Sequence, residues 1–275
     1  MCQLLGMNCN KPASLHFSLQ GFVRRGGETD EHADGWGLGY FDGRDARLFR
    51  DHRPSAHSPA AELTRDRSLR SRNILAHIRK ATQGAVDLLN CHPFHARLWG
   101  RDWLFAHNGN LEDFHPALDG PWQPAGTTDS ERAFCLLLQR LRQRFGDAAD
   151  AGDAPDEEAL RDALQRISLE IAAHGSFNYL LSDGATLYTH RSTELHYLER
   201  AYPFRSARLV DCELSMDFAL HNHLDDCMAL IATRPLTTDE AWQPLPVGEV
   251  CAFSDGRQWR PRSTQSSSFG LAVAV

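Results

Sequence analysis

Residues 1–10 read MCQLLGMNCN and place a cysteine directly behind the initiator methionine. Residues 2–8 form the short apolar run that is typical of a buried strand. Taken alone, Cys2 is a small apolar residue at the start of that strand. Loss of Met1, which a small second residue favours, would instead give Cys2 a free amine beside its thiol. The rest of the sequence has to decide between these two interpretations.

The two reactive groups of an N-terminal cysteine have matched acid–base properties. Its amine has a pKa of roughly 7.7–8 and a free thiol has a pKa of about 8.5, so the amine can accept the thiol proton near neutral pH. A thiolate that attacks an amide also needs donors for the developing oxyanion. Asn108-Gly109 offers a side-chain amide beside a backbone N–H. The sequence therefore contains the parts for cysteine-dependent amide cleavage.

Two charged residues complete this set. Arg79 follows the apolar run at residues 73–78, and Asp129 opens an amphipathic helix pattern. A guanidinium can bind a carboxylate through two parallel hydrogen bonds, and an aspartate can pair with an ammonium group. Free glutamine carries both groups on its α-carbon. The residues together therefore indicate cleavage of a γ-glutamyl amide.

Each candidate has a simpler interpretation when it is considered alone. Arg79 fits an ordinary surface arginine, and Asn108-Gly109 fits a simple turn. Asp129 fits a first-turn acid that stabilises its helix, and His92 and His107 fit core histidines. The combination of these residues, rather than any one of them, supports the catalytic interpretation.

Several motifs resemble the glutaminase domain of class II glutamine amidotransferases, which are N-terminal-nucleophile hydrolases. The order and the spacing of the motifs both match, and the resemblance spans about residues 2–253. Two further patterns are similar to the stand-alone YafJ-like branch of the family. The motifs that match the glutaminase domain are Cys2 and residues 76–84, 90–94, 105–111 and 126–131. The patterns that match the YafJ-like branch are residues 32–40 and, late in the chain, Leu236, Asp239-Glu240, Trp242 and residues 247–249.

The resemblance implies an α+β fold, a four-layer αββα sandwich of two antiparallel sheets. It also implies a role for each matching residue. Cys2 would be the nucleophile, with its own amine as the base. Asn108 and Gly109 would form the oxyanion hole. Arg79 would bind the α-carboxylate of the substrate, and Asp129 would bind its α-amino group. Thr82 and His92 would line or support the site.

The chain departs from the larger synthases of the family in two ways. Lys80 and Gln83 stand where those relatives have tryptophan and histidine, which leaves the preference for glutamine open. In addition, nothing after residue 130 resembles an acceptor or sugar-isomerase module, so ammonia would be released or passed to a separate acceptor or synthase protein. Two alternatives therefore stay open. One is a hydrolase for a larger γ-glutamyl compound, as in ergothioneine synthesis, and the other is a non-catalytic accessory subunit of a synthase.

The composition limits the classes of partner. The chain has 275 residues, a net charge of -7 and 42% hydrophobic residues. An acidic chain is not typical of nucleic-acid binders, and the sequence has no run of about 18 apolar residues that would span a membrane. The seven cysteines are scattered without a CxxC pair, which favours the cytoplasm over a disulfide framework.

A metal site is a weak alternative on the sequence. Cys91, His92 and His95 stand close together, but a second ligand pair with suitable spacing is missing. We therefore expect no metal and no organic cofactor, and a small-molecule substrate.

Turn and helix signals outline the expected elements. Asp42-Gly43 and Ser182-Asp183-Gly184 lie between apolar runs and predict hairpins. Helices are expected from Ser14 to Arg24, from Ser58-Pro59, from Thr128, and along the face formed by Leu160, Leu164, Ile167 and Ile171. Hairpins and stacked helices predict a single domain over residues 2–260, with a tail at 261–275 that is poorly ordered in part.

Overall fold

Antiparallel strand pairing organises most of the chain. The computed structural model describes residues 2–59, 61, 69–147 and 155–260. Its strands form two large sheets and one small two-stranded sheet, and every pair of neighbouring strands is antiparallel.

The first sheet has seven strands and draws them from both halves of the chain. The N-terminal strand β1 lies inside it, between one neighbour from the first third of the chain and one that begins at Cys227. The strands of this sheet, from edge to edge, are β13 (Gln243–Pro244), β9 (His196–Ala201), β12 (Cys227–Ala232), β1 (Gln3–Ala13), β4 (Ser71–Ile78), β2 (Trp36–Asp42) and β3 (Asp45–Asp51).

The second sheet has six strands from the middle and the end of the described chain. Its longest strand, β6 (Arg101–Leu111), pairs with β7 over eight residue pairs, from Leu104↔Ser182 to Leu111↔Gly175. The other strands are β15 (Arg257–Gln258), β14 (Val250–Ser254), β8 (Leu187–His190), β7 (Gly175–Ser182) and β5 (Phe94–Leu98); β10 (Ser206–Arg208) and β11 (Ser215–Asp217) form the small sheet.

Three apolar cores separate four layers. The core between the two sheets includes Leu4, Leu75, Leu104, Leu180 and Ile231, all fully buried. Helices α2 (Asp129–Phe145) and α3 (Glu157–Ala172) cover the outer face of the second sheet, and α1 (His16–Phe22) covers that of the first. The expected four-layer αββα sandwich of the α+β class is therefore confirmed.

The predicted hairpins and the predicted start of α2 are present in the structure. Both predicted hairpins form, and their glycines Gly43 and Gly184 have positive φ values of 63° and 89°, which favour glycine. Thr128 caps α2, because its side chain accepts the N–H of Glu131. The first helix is shorter than expected: Ser14 Oγ accepts the N–H of His16, α1 ends at Phe22, and a 3-10 turn follows.

Some expectations differ or cannot be compared. Asn108-Gly109 is not a turn but continues β6, because both residues pair with β7. The helix expected from Ser58-Pro59 falls largely on residues outside the described ranges, as does the tail at 261–275. Within the described part of the chain, no helix has the length and apolar character to cross a membrane.

Candidate active site

Strand alternation directs Cys2 toward the space between the sheets. Successive side chains of a strand point to opposite faces, so Cys2, directly before β1, continues the inner face on which the buried Leu4 lies. Its Sγ accepts the backbone N–H of Lys80 at 3.3 Å and lies 3.4 Å from the Lys80 carbonyl oxygen. Burial raises the pKa of the Cys2 thiol, while the Lys80 N–H and the charge of Arg79 act against that rise. The thiol therefore needs a base in order to react.

A cavity of about 280 Å³, open solvent at its mouth included, surrounds the thiol. It brings together most of the side chains that the sequence analysis selected. Asn108 does not line this cavity but lies behind it, fully buried. The selected residues on the wall are Cys2, Arg79, Thr82, His92, Gly109 and Asp129.

The edge of β6 presents the backbone of Gly109 to this cavity. On that edge the N–H of His107 reaches His92 Nδ1 at 3.4 Å, and the N–H of Leu111 reaches Asp129 Oδ2 at 2.8 Å. Alternate N–H groups of a strand point the same way, so the N–H of Gly109 lies between these two and faces the same side. A Cβ at this position would stand 1.8 Å from the Ser176 carbonyl oxygen, so only glycine fits without a shift.

Arg79 lies at the end of β4, buried and 3% exposed. Its guanidinium donates to the carbonyl oxygens of Ala85 at 2.9 Å, Gln83 at 2.8 Å and Gly84 at 3.2 Å. Arg79 is therefore oriented by the loop that follows it and bounds the cavity with a positive charge. A carboxylate that enters the cavity meets this charge in a largely dehydrated setting.

Asp129 occupies the first turn of α2 directly after the cap residue Thr128. Its carboxylate accepts the N–H of Leu111 and lies 3.4 Å from the Ser130 hydroxyl. The side chain is 4% exposed, so its position is fixed by the helix start and by β6. Asp129 therefore gives the cavity a negative charge, whereas Arg79 gives it a positive charge.

The sequence of the chain matches one known family over almost its whole length. Residues 1–270 fit the sequence profile of the class-II glutamine amidotransferases. The chain belongs to this family. A protein from Haemophilus influenzae with the provisional name glutamine amidotransferase is 42% identical over 258 residues, 94% of this chain and 86% of the relative. YafJ from Escherichia coli, named in the same provisional way, is 41% identical and covers 94% of this chain and 99% of its own length.

Solved structures agree with this family assignment. A crystal structure from Pseudomonas aeruginosa, described as a predicted glutamine amidotransferase, has a TM-score of 0.73 at 38% identity and covers 94% of this chain and all of that one. The glutamine phosphoribosylpyrophosphate amidotransferase of Bacillus subtilis has a TM-score of 0.56 at 13% identity, over 94% of this chain and 48% of its own, and shows the fold alone. The fold is thus that of the N-terminal-nucleophile glutamine amidotransferases.

A more distant relative has a name that specifies a substrate. The γ-glutamyl-hercynylcysteine sulfoxide hydrolase of Mycobacterium tuberculosis is 32% identical over 163 residues, 57% of this chain and 61% of the relative.

The two departures from the larger amidotransferases lie on the cavity wall. Lys80 pairs through Nζ with Glu31 Oε2 at 2.8 Å, and both side chains are partly exposed. Gln83 donates to Asn110 Oδ1 at 2.8 Å and to the Leu111 carbonyl oxygen at 3.0 Å. Gln83 therefore ties the loop after Arg79 to the end of β6, while Lys80 places a charged pair beside the cysteine.

Three buried histidines form the inner wall of the cavity. The rings of His77 and His92 lie 4.1 Å apart, centroid to centroid, and His107 contacts Ser130 Oγ at 2.8 Å and the Ser176 carbonyl oxygen at 3.1 Å. Burial lowers the pKa of all three below the usual value for histidine. The histidine wall is therefore neutral, which leaves Arg79, Lys80 and Asp129 as the charged residues that line the cavity. His92 and His107 are thus buried histidines, as one interpretation of the sequence expected, and both line the cavity.

The three side chains that the sequence offered as metal ligands, Cys91, His92 and His95, can be compared with the structure. Cys91 Sγ lies near the carbonyl oxygens of Asp51 and Asp87, His92 packs on His77, and His95 Nε2 pairs with Asp102 at 3.0 Å. These three side chains thus have separate partners. No group of three potential ligands occurs among the described residues.

The sequence analysis missed four residues that shape the site. His77 and Ser130 line the cavity, the Ser176 carbonyl oxygen contacts His107, and Thr233 accepts a hydrogen bond from Asn108. His77 and Ser130 lie inside the motifs at residues 76–84 and 126–131, so the motifs themselves were a usable signal. Thr233 follows β12 far along the chain, and only the pairing of β12 with β1 brings it to the cysteine.

Proposed function

We propose that this chain hydrolyses a γ-glutamyl amide, glutamine first of all, through a thioester on Cys2. One observation carries the proposal: the Cys2 thiol, the Gly109 edge of β6, Arg79 and Asp129 meet at one cavity. Each of these groups matches one requirement of the reaction, as the following steps describe.

The covalent step begins after removal of Met1. The α-amine of Cys2 accepts the thiol proton, and the sulfur attacks the γ-carbonyl carbon. The Gly109 N–H and the Asn108 amide donate to the resulting oxyanion. The C–N bond then breaks, ammonia leaves with the proton held by the α-amine, and water hydrolyses the thioester to glutamate and free thiol.

Substrate recognition uses the opposite charges of the cavity. Asp129 binds the α-ammonium group, and Arg79 binds the α-carboxylate in exchange for one or more of its loop carbonyls. Thr82 and His92 bound the space between them. Because both charges are buried, they act with little screening, and the amino-acid end of the substrate fixes its γ-carbonyl near the sulfur.

The test combines the intact mass of the purified chain with release of ammonia and glutamate from glutamine. We expect a mass that lacks Met1, turnover in the native chain, and loss of turnover in Cys2→Ala. Cys212→Ser, which changes a cysteine outside the cavity, is the matched control and should retain activity. Equal turnover by Cys2→Ala, or by a chain that retains Met1, would reject the mechanism.

A second candidate substrate is a larger γ-glutamyl compound. Lys80, which stands where the larger synthases have tryptophan, lines the cavity and pairs with the exposed Glu31, and the Mycobacterium relative has such a substrate in its name. The comparison of kcat/KM for glutamine with that for γ-glutamyl peptides separates the candidates. A ratio above one for the peptides would assign the larger substrate.

The proposed cellular setting is supported by the scattered cysteines, all of which are free. We propose a cytoplasmic enzyme that releases ammonia or delivers it to a separate acceptor or synthase protein, and that uses neither metal nor organic cofactor. The third alternative, an accessory subunit without its own activity, would show a stable synthase partner in a pull-down together with no turnover of any γ-glutamyl amide.

A further inference from the structure

We propose that Thr233 is a positioning residue: its hydroxyl group turns the Asn108 amide so that the amide nitrogen faces the oxyanion. This inference rests on the proposed function, because it assigns a task within the same reaction. Thr233 is the residue after β12 and is 1% exposed. It connects the strand that carries the cysteine to the strand that carries the asparagine.

Strand faces bring these groups into one layer. Thr233 continues the face of β12 that holds Ala229 and Ile231 in the core between the sheets, and Asn108 continues the face of β6 that holds Leu104 and Ala106 there. Cys2 points into the same layer from β1. Asn108, Thr233 and Cys2 therefore converge between the sheets although they are far apart in sequence.

Hydrogen bonds fix Thr233 to both sheets. Its Oγ1 accepts the N–H of Leu4 at 2.9 Å and lies 3.2 Å from Asn108 Nδ2, and its own N–H donates to the Leu4 carbonyl oxygen at 3.1 Å. Leu4 is two residues from the nucleophile. Thr233 is thus held by the cysteine strand and faces the asparagine with its hydroxyl group.

The hydrogen-bonding capacity of these groups selects one amide orientation during the reaction. With Nδ2 toward Thr233, Asn108 Oδ1 is buried without a hydrogen-bond partner among the described residues. A threonine hydroxyl has one proton besides its two lone pairs, and the Leu4 N–H uses one lone pair. If the amide turns by 180°, the hydroxyl proton binds Oδ1 across the same distance, and the NH₂ group takes the position of the unpaired oxygen.

The orientation of the Asn108 amide decides whether it repels or stabilises the oxyanion. In the orientation with Nδ2 on Thr233, the amide presents an oxygen where the oxyanion forms, and the two repel each other. In the turned orientation it presents two N–H donors. Thr233 holds the second orientation because its proton satisfies the buried Oδ1. The hydroxyl group therefore acts on the transition state through Asn108 and does not touch the substrate.

The test compares Thr233→Val with Thr233→Ser in the mature enzyme, with glutamine as substrate. We expect Thr233→Val to lower kcat by about 10- to 100-fold at nearly constant KM, since loss of one oxyanion donor costs about 10²–10³ in kcat. Thr233→Ser keeps the hydroxyl group and should restore at least half of the native kcat. Thr189→Val, a change at a buried threonine of β8, is the matched control and should leave kcat unchanged.

A second measurement separates the asparagine from the cysteine strand. Alkylation of Cys2 by iodoacetamide forms no oxyanion, so its rate should stay within about twofold of native in Thr233→Val. A rate that falls in parallel with kcat would show that Thr233 acts through β1, and it would overturn the inference. Thr233→Ala replaces the valine variant if the latter does not fold, with the same expectations.

A double-mutant cycle completes the test. In an Asn108→Ala background, Thr233→Val should lower kcat by less than about twofold, because its target is gone. An undiminished effect of Thr233→Val in the Asn108→Ala background would overturn the inference, and so would a native kcat in the Thr233→Val single variant. If the native enzyme still turns over glutamine, the proposed function stands in either case. A native chain that cleaves no γ-glutamyl amide would reject the proposed function and this inference with it.

Discussion

The proposed function gives single residues at the site separate tasks, and Asp129 offers the clearest test. We expect Asp129→Asn to raise KM for glutamine by about 10- to 100-fold with little change in kcat, because a hydrogen bond to a charged group contributes about 1.5–3 kcal/mol. The asparagine oxygen can still accept the Leu111 N–H, so the fold should persist. Steady-state kinetics give the result, and Asp162→Asn, at an exposed acid, is the control. A fall in kcat at constant KM would contradict the assigned role.

Much of the site was predictable at this scale because its residues lie in local motifs. Arg79 and Asp129 directly follow a strand and a helix cap that the sequence indicates, so their positions at the cavity follow from the elements. Thr233 was not predictable, because its role depends on the pairing of Ala232 with Leu5 across the sheet. The hydrogen bonds from Arg79 to the carbonyl oxygens of the loop that follows it were not predictable either, because every residue has a backbone carbonyl group and the sequence does not show which ones are used.

Strand β6 shows how an element can override a local signal. Asn-Gly is a strong turn signal, yet Asn108 pairs with Asn178 and Gly109 with Phe177 of β7. The neighbouring strand supplies partners for the backbone, and the close approach of Ser176 requires glycine. The sequence therefore singled out these two residues but could not place them in a strand.

A test of this element is Gly109→Ala. The new Cβ would overlap the Ser176 carbonyl oxygen and stand 2.6 Å from His107 Nε2, so β6 and β7 must separate locally. We expect a loss of about 2–3 kcal/mol in the free energy of unfolding and at least a tenfold fall in kcat. Gly43→Ala, whose Cβ meets open space at a positive φ, should cost about 1–2 kcal/mol and leave kcat unchanged. Urea denaturation and glutamine turnover measure both variants.

At the scale of the whole molecule, the histidine wall makes stability dependent on pH. His77, His92 and His107 have lowered pKa values in the folded state, whereas an unfolded histidine titrates near 6.5. Below pH 6.5 the unfolded chain therefore binds protons that the folded chain does not. Each such histidine removes up to about 1.4 kcal/mol of stability per pH unit, so stability should fall as the pH drops from 7 to 5.

The urea midpoint at several pH values checks this expectation. His77→Gln should flatten the dependence, whereas His57→Gln, at an exposed histidine, should leave it unchanged. A midpoint that stays constant or rises between pH 7 and pH 5 would contradict the assignment of neutral histidines.

The topology also bears on the proposed single domain over residues 2–260. The first sheet interleaves β1, β4 and β2 from the N-terminal part with β12 and β9 from the C-terminal part, and both sheets share the core around Leu4 and Leu180. We expect one cooperative transition in urea, with coincident curves from tryptophan fluorescence and far-ultraviolet circular dichroism. Two separated transitions would indicate independent domains.

The position of β1 also has a consequence for how the protein is made. Among the strands of this chain β1 is synthesised before the others, but its second neighbour, β12, begins only at Cys227. During synthesis the start of the chain therefore waits as an unpaired edge while most of the polypeptide emerges. Under the proposed function, the aminopeptidase that removes Met1 would have access in this interval, before the sheet and its cavity close over Cys2. Maturation of the nucleophile would then be a step of translation, completed before folding.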